Sequence, residues 1–170
     1  IRDAVTRYGE YAGHLFIAEG VGDIGVTAIR ERIARHIDMT GKTPLVIVDY
    51  LQIVAPYNER ATDKQNMDKA VLELKRISRD FKLPVIAVSS LNRMSYGQRI
   101  SMEAFKESGA IEYSSDVLIG LQLRGAGEAT FDPTEAKKKN PRQIEAVILK
   151  NRNGRVGEKI EVEYYPMFNY

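Results

Sequence analysis

The chain has 170 residues, 44% hydrophobic and 28% charged, with a formal net charge of +2, a composition that points to one globular, soluble domain large enough to bury a core. It contains no cysteine, which excludes disulfides, thiolate zinc sites and a cysteine nucleophile. No apolar run approaches the ~20 residues that span a bilayer and no signal-peptide pattern is present, so the cytosol is the default location.

In chain order, residues 1–10 read as a helix and the apolar run His14–Ala18 as a short strand. A glycine loop follows at Gly20–Gly25. Val26–Met39 places Ile29, Ile33 and Ile37 at helical spacing. After a turn at Gly41–Pro44, Leu45–Asp49 is an apolar strand. Thr62–Leu83 is the clearest helix, with Met67, Val71, Leu74, Ile77 and Phe81 on one face and Thr62 with Gln65 forming a capping box. Pro84–Ser89 is a second buried strand. Strand, crossover helix and strand make a βαβ unit, so these two strands should run parallel. Val117–Leu123, Ile144–Asn151 and Lys159–Tyr165 are further strands, the last two joined by a glycine hairpin at Asn153–Gly157. The architecture is α/β: a mostly parallel sheet flanked by helices, with an antiparallel C-terminal hairpin, in a single domain over residues 1–170.

Charge is unevenly spread. Between Glu135 and Lys159 there are eight Lys/Arg against three acids. Such a surface can meet phosphates, although a solvated face is the commoner explanation. The short Lys137–Lys139 run reads as a basic loop.

Two motifs imitate nucleotide sites. Gly20–Gly25 fits G-x-G-x-x-G between a predicted strand and a helix. With glycine near 7% of residues, a chance match in a chain of this length is on the order of one in twenty. The acid ending the next strand, Asp49, lies somewhat beyond the usual spacing of ~20. A flexible loop is the commoner explanation. Gly41-Lys42-Thr43 resembles the end of a phosphate loop, but His36 stands where G-x-x-x-x-G-K-[ST] needs glycine. The segment also follows a helix and leads into a strand, the reverse of what phosphate binding at a helix N-terminus requires.

Asp49 is different. Leu45–Val48 drive a strand through the core and deliver a carboxylate at its C-terminal end, where ligands gather in open α/β sheets. A hard oxygen there suits Mg²⁺; the plainer alternative is a cap on the following turn. Ser89 and Ser90 end the neighbouring strand, with Asn92 and Arg93 next, and could sense a phosphate in the same crevice or simply form a turn. Lys150 and Arg152 lie two apart, and so on one face of a strand, behind Ile144, Ala146 and Ile148. Lysine offers a point charge and arginine a planar fork for phosphate oxygens; otherwise they decorate a solvated hairpin tip. His14 and His36 have no carboxylate–histidine cluster around them and read as packing or surface residues.

Taken in order, the strings VIVDYLQIV, SSLNR, KESGAIEYSSD and KNRNG resemble the DnaB-type replicative helicases, in their RecA-like C-terminal ATPase domain. The resemblance implies ATP and Mg²⁺ as cofactors, with Asp49 on the Mg²⁺ side of the nucleotide and Ser90 in the γ-phosphate-sensing segment. It makes Lys150 and Arg152 a finger acting in trans across a subunit boundary. It implies a homo-hexamer translocating on single-stranded DNA, with Lys106, Glu107 and Gly109 as DNA contacts and Arg93 and Arg99 as weaker ones. A primase and a helicase loader are the implied partners. Ser90 stands where the family usually has Gln, and Lys106 where it usually has Arg. The family's phosphate loop and catalytic glutamate would precede residue 1. With the chain opening on Ile1, that suggests a piece of a longer helicase, inactive by itself. The competing readings are a non-catalytic RecA-like DNA-binding or assembly module, a recombinase-type ATPase, and an oxidoreductase using Gly20–Gly25.

Overall fold

The computed structural model describes residues 2–20, 23–92, 97–105 and 109–168. The elements in order are α1 (Arg2–Tyr11), α2 (Val26–Thr40), β1 (Val46–Val48), α3 (Asp63–Phe81), β2 (Val85–Ala87), α4 (Gly109–Ser114), β3 (Val117–Leu123), α5 (Pro133–Lys138), β4 (Arg142–Asn151) and β5 (Lys159–Tyr164). β1 and β2 pair in parallel, with Ile47 opposite Ile86. β3, β4 and β5 form a separate antiparallel sheet in that order. The antiparallel part therefore holds three strands, one more than the expected terminal hairpin.

The crossover helix α3 forms where the sequence places it. Thr62 accepts from the Gln65 N–H at 3.2 Å, and Gln65 Oε1 accepts from the Thr62 N–H at 3.0 Å, so the capping box closes in both directions. Leu74 and Ile77 are buried, while Met67, Val71 and Phe81 pack against the same core. The helix ends where Lys82 turns left-handed, φ 52°. That core is shared: Ile33 of α2, Val48 of β1, Ile111 of α4, Leu118 of β3 and Val147 of β4 all belong to it, so the two sheets fold around one interior.

The predicted strand at His14–Ala18 does not form. A 3₁₀ turn spans Ala12–His14, and the run beyond it is irregular and exposed. An apolar pentapeptide needs a neighbouring strand to satisfy its backbone, and none pairs with it among the described residues. This also removes the strand that the Gly20–Gly25 fingerprint requires; Gly25 caps α2, while Val21 and Gly22 lie outside the described residues. Gly41, at φ 67°, closes α2 by donating to the Ile37 carbonyl at 2.7 Å, so Gly41–Thr43 ends a helix and has no phosphate-loop geometry. Lys137 and Lys138 lie in the last turn of α5, not in a loop, and Lys138 pairs with Glu135 at 2.7 Å.

One face of both sheets is bare. Ile47 and Ile86, and on the second sheet Ile119, Leu121 and Ile160, are each more than half exposed. Strands reading as near-continuous apolar runs normally have both faces covered.

Candidate functional site

The C-terminal ends of β1 and β2 form the first site. The apolar strand residues lead to Asp49, exposed just past β1 and joined to Tyr50 by a cis peptide bond. The backbone pairing continues beyond the strands: Val88 donates to Val48 at 2.9 Å, and Leu51 donates to Val88 at 2.8 Å. This holds Ser89 and Ser90 alongside the Asp49–Ile53 segment. Gln52 completes the link. Its amide nitrogen donates to Ser89 Oγ at 3.0 Å, and its amide oxygen accepts from the Ser90 N–H at 3.3 Å. Ser90 is thus held beside the segment that follows Asp49.

Asp49 presents one exposed carboxylate at this crevice. Among the described residues no three His, Cys, Asp or Glu side chains converge on a common point. Asp49 would therefore supply a single carboxylate, directly or through water, matching the way Mg²⁺ is held by one or two carboxylates and substrate phosphates.

The second site gathers Lys150 and Arg152, with a geometry the sequence does not give. A bulge interrupts the β3–β4 ladder: Leu118 pairs with Lys150, but Ile119 pairs with Ile148. The extra residue, Leu149, reverses the alternation beyond it. Lys150 consequently joins the face of buried Leu118, and not the face of Ile144, Ala146 and Ile148 expected from simple two-residue periodicity. The buried positions of β4 are Glu145 and Val147. Lys150 Nζ donates to the Glu112 carbonyl at 2.5 Å, at the C-terminal end of α4, where unpaired carbonyls favour a cation. Arg152 lies just outside β4, in the turn. Its N–H donates to the Asp116 carbonyl at 2.8 Å, and its guanidinium meets Asp116 Oδ1 at 3.0 Å. Lys75 of α3 pairs with the other oxygen of Asp116. The hydrogen bond from Lys75, helped by the charges of Lys75, Arg152 and Lys150, outweighs the opposing effect of burial and holds the Asp116 carboxyl below the usual carboxylate range.

The two groups of residues are carried by different elements: Asp49 and Ser90 follow β1 and β2, while Lys150 and Arg152 lie at the end of β4 against α4 and Asp116. A parallel crossover helix starts at the C-terminal end of one strand and returns to the N-terminal end of the next. Lys75 lies twelve residues after Asp63, about 18 Å along α3 at 1.5 Å per residue. Lys75 therefore lies in the C-terminal half of α3, and the Asp116–Arg152 pair is anchored there.

Of the predicted DNA contacts, Arg93, Lys106 and Glu107 lie outside the described residues. Gly109 begins α4, which packs beside α3; the next residue, Ala110, donates its N–H to Asp68 at 3.4 Å. Arg99 is exposed at the opposite end of β3, next to Gly127, whose approach to the Arg99 backbone leaves no room for a Cβ. Arg99 and Gly109 do not form one patch by themselves. Sequence reasoning missed Gln52, Lys75, Glu112 and Asp116. Gln52 stands inside a quoted string, LQIV, and Asp116 ends another, but nothing in their spacing reveals their partners.

A family model described as "DnaB-like helicase C terminal domain" matches residues 3–169. The replicative DNA helicase DnaC of Bacillus subtilis is 30% identical over 138 residues, covering 79% of this chain and 29% of that protein. A solved structure of a DnaB-like replicative helicase, described with its interactions with primase, superposes on 95% of this chain and 39% of its own with a TM-score of 0.77 at 24% identity. A solved ATPase domain gives a TM-score of 0.69 over 83% of this chain and 48% of its own, also at 24% identity. The chain spans about a third of the length of the curated relatives it matches.

Proposed function

Because the chain belongs to the DnaB-like helicase C-terminal domain family and has the RecA-like fold of its structural neighbours, we propose that it is part of the motor of a replicative DNA helicase. In this reading ATP is hydrolysed between subunits of a ring-shaped hexamer, and the energy drives movement along single-stranded DNA. The observation that carries it is the anchoring of Lys150 and Arg152 on α4, Asp116 and Lys75, while Asp49 and Ser90 follow the ends of β1 and β2. On this reading the cation pair serves a neighbouring subunit's nucleotide and not its own.

Asp49 positions a hard oxygen for the Mg²⁺ of the bound nucleotide, and that ion would neutralise phosphate charge during transfer. Ser90, held through its backbone by Gln52, reports the state of the γ-phosphate to the segment that follows β2. Arg152 offers its planar fork, and Lys150 a point charge, to phosphate oxygens of the adjoining subunit. Such a finger contributes about 10³–10⁵ in rate. Lys106, Glu107 and Gly109, with Arg93 and Arg99 as weaker contacts, approach DNA. A primase is a candidate partner, because the DnaB-like structural neighbour is described with one.

The test is ATP hydrolysis by the complete helicase, with and without single-stranded DNA. Asp49→Asn and Arg152→Ala are each expected to abolish the stimulated activity while nucleotide and DNA binding persist. Wild-type turnover in both variants would instead support a non-catalytic DNA-binding or assembly module.

A further inference from the structure

We propose that Asp116 is the positioning residue for Arg152, fixing the direction of the guanidinium from behind without touching nucleotide. The inference rests on the trans-acting reading of Lys150 and Arg152 and adds a residue to it.

Three observations converge on Asp116. Its carbonyl accepts from the Arg152 backbone at 2.8 Å while its Oδ1 meets the guanidinium at 3.0 Å, so one residue holds both ends of the arginine. Its other carboxylate oxygen is taken by Lys75, which ties the assembly to the long crossover helix. The same short segment, Glu112–Asp116, also receives Lys150 through the carbonyls of Glu112 and Tyr113. Both cations of the pair are thus anchored to one stretch of chain.

Chemistry decides which side of Arg152 the carboxylate occupies. A carboxylate beside the γ-phosphate would oppose the charge that develops there, so Asp116 can assist only from the far side of the guanidinium. Arginine carries five N–H donors in a rigid fork, more than a single carboxylate oxygen at Nη1 uses, so the fork keeps capacity for phosphate oxygens. Restricting a side chain with many rotamers to one direction removes part of the ordering cost from the reaction itself. A carboxylate held in its charged form, as Asp116 is, performs this role throughout the neutral range.

The experiment is steady-state ATP hydrolysis by the complete helicase with saturating single-stranded DNA. Asp116→Asn is expected to lower kcat on the order of 10–100-fold, as misaimed catalytic groups do, with KM for ATP and hexamer assembly unchanged. Asp116→Glu is expected to recover part of the loss, because it restores the charge. Lys75→Met, which loosens the carboxylate without removing it, is expected to lower kcat by a smaller factor and likewise spare KM. A role confined to folding would instead reduce the amount of assembled enzyme and leave kcat per active site intact. Loss of turnover in Arg152→Ala beside wild-type kcat in Asp116→Asn would overturn this inference alone. Wild-type turnover in Arg152→Ala would overturn the trans-acting reading beneath it. Should Asp116→Asn fail to assemble, wild-type kcat in both Asp116→Glu and Lys75→Met would overturn the inference.

Discussion

The Gln52 side chain donates to Ser89 Oγ at 3.0 Å and accepts from the Ser90 N–H at 3.3 Å, joining the end of the strand that carries Asp49 to the end of its parallel neighbour. Each neutral hydrogen bond of this kind contributes about 1 kcal/mol net. Gln52→Ala is therefore expected to lower DNA-stimulated kcat about fivefold, the equivalent of ~1 kcal/mol, with little change in the basal rate. Comparing hydrolysis with and without single-stranded DNA checks it. Equal loss in both conditions would mean that Gln52 supports the site without coupling it.

A second prediction concerns the interior of the antiparallel sheet. Buried Glu145 accepts from Lys159 Nζ at 2.9 Å and from Gln122 Nε2 at 2.8 Å, and Gln122 Oε1 accepts from the Ile100 N–H at 2.7 Å. Burial alone would raise the Glu145 carboxyl; the hydrogen bonds from Lys159 and Gln122 and the charge of Lys159 outweigh it and hold the group below its ordinary value. A depressed folded-state pKa gives stability that is present above the unfolded value and lost as pH falls through the folded one. Lys159→Met removes the main compensation. It is expected to destabilise the fold by about 1–2 kcal/mol, the lower part of the range for a buried group left unpaired, because Lys159 is 40% exposed and water screens the pair. Thermal melts against pH should show the largest gap between variant and parent near neutral pH, narrowing as pH falls and Glu145 protonates in the parent.

Gly120 is fixed by close approach. A Cβ there would lie 2.4 Å from Ile100 Cδ1 and 3.1 Å from Leu149 Cδ1. Gly120→Ala is expected to cost about 1–3 kcal/mol through overpacking. Combining it with Ile100→Ala, which vacates the space, should cost less than the sum of the two single changes. Denaturant titration of all three variants measures that coupling; strict additivity would show that the contact does not set the residue.

For DNA, Lys106→Ala is expected to reduce the salt slope of single-strand binding by about one, with affinity falling nearly uniformly across sequences. An unchanged slope would remove Lys106 from the contact set.

Much of this fold was legible because its signals are local. The Thr62–Gln65 box, the apolar face of α3 and the glycine at position 157, at φ 80°, each depend on residues near one another in sequence. The parallel pairing of β1 and β2 was legible because a strand, a crossover helix and a strand make a βαβ unit. The failures have non-local causes. His14–Ala18 has the composition of a strand but pairs with no strand among the described residues. The face of Lys150 depends on a bulge at Leu149 that only the register with β3 reveals. Lys75 and Asp116 are 41 residues apart, and charge patterning along the chain says nothing about such an encounter. The capping signal of α5, Asp132 before Pro133, was present but overlooked; Asp132 accepts from the Thr134 N–H at 2.7 Å.

The central claim is that Arg152 of one subunit serves the nucleotide held by Asp49 of another. Co-assembling Asp49→Asn subunits with Arg152→Ala subunits of the complete helicase, and measuring ATP hydrolysis, tests it most directly. Each variant alone should be inactive, while the mixed ring should regain hydrolysis at interfaces that join an intact Asp49 to an intact Arg152. A mixture as inactive as its components would contradict the account.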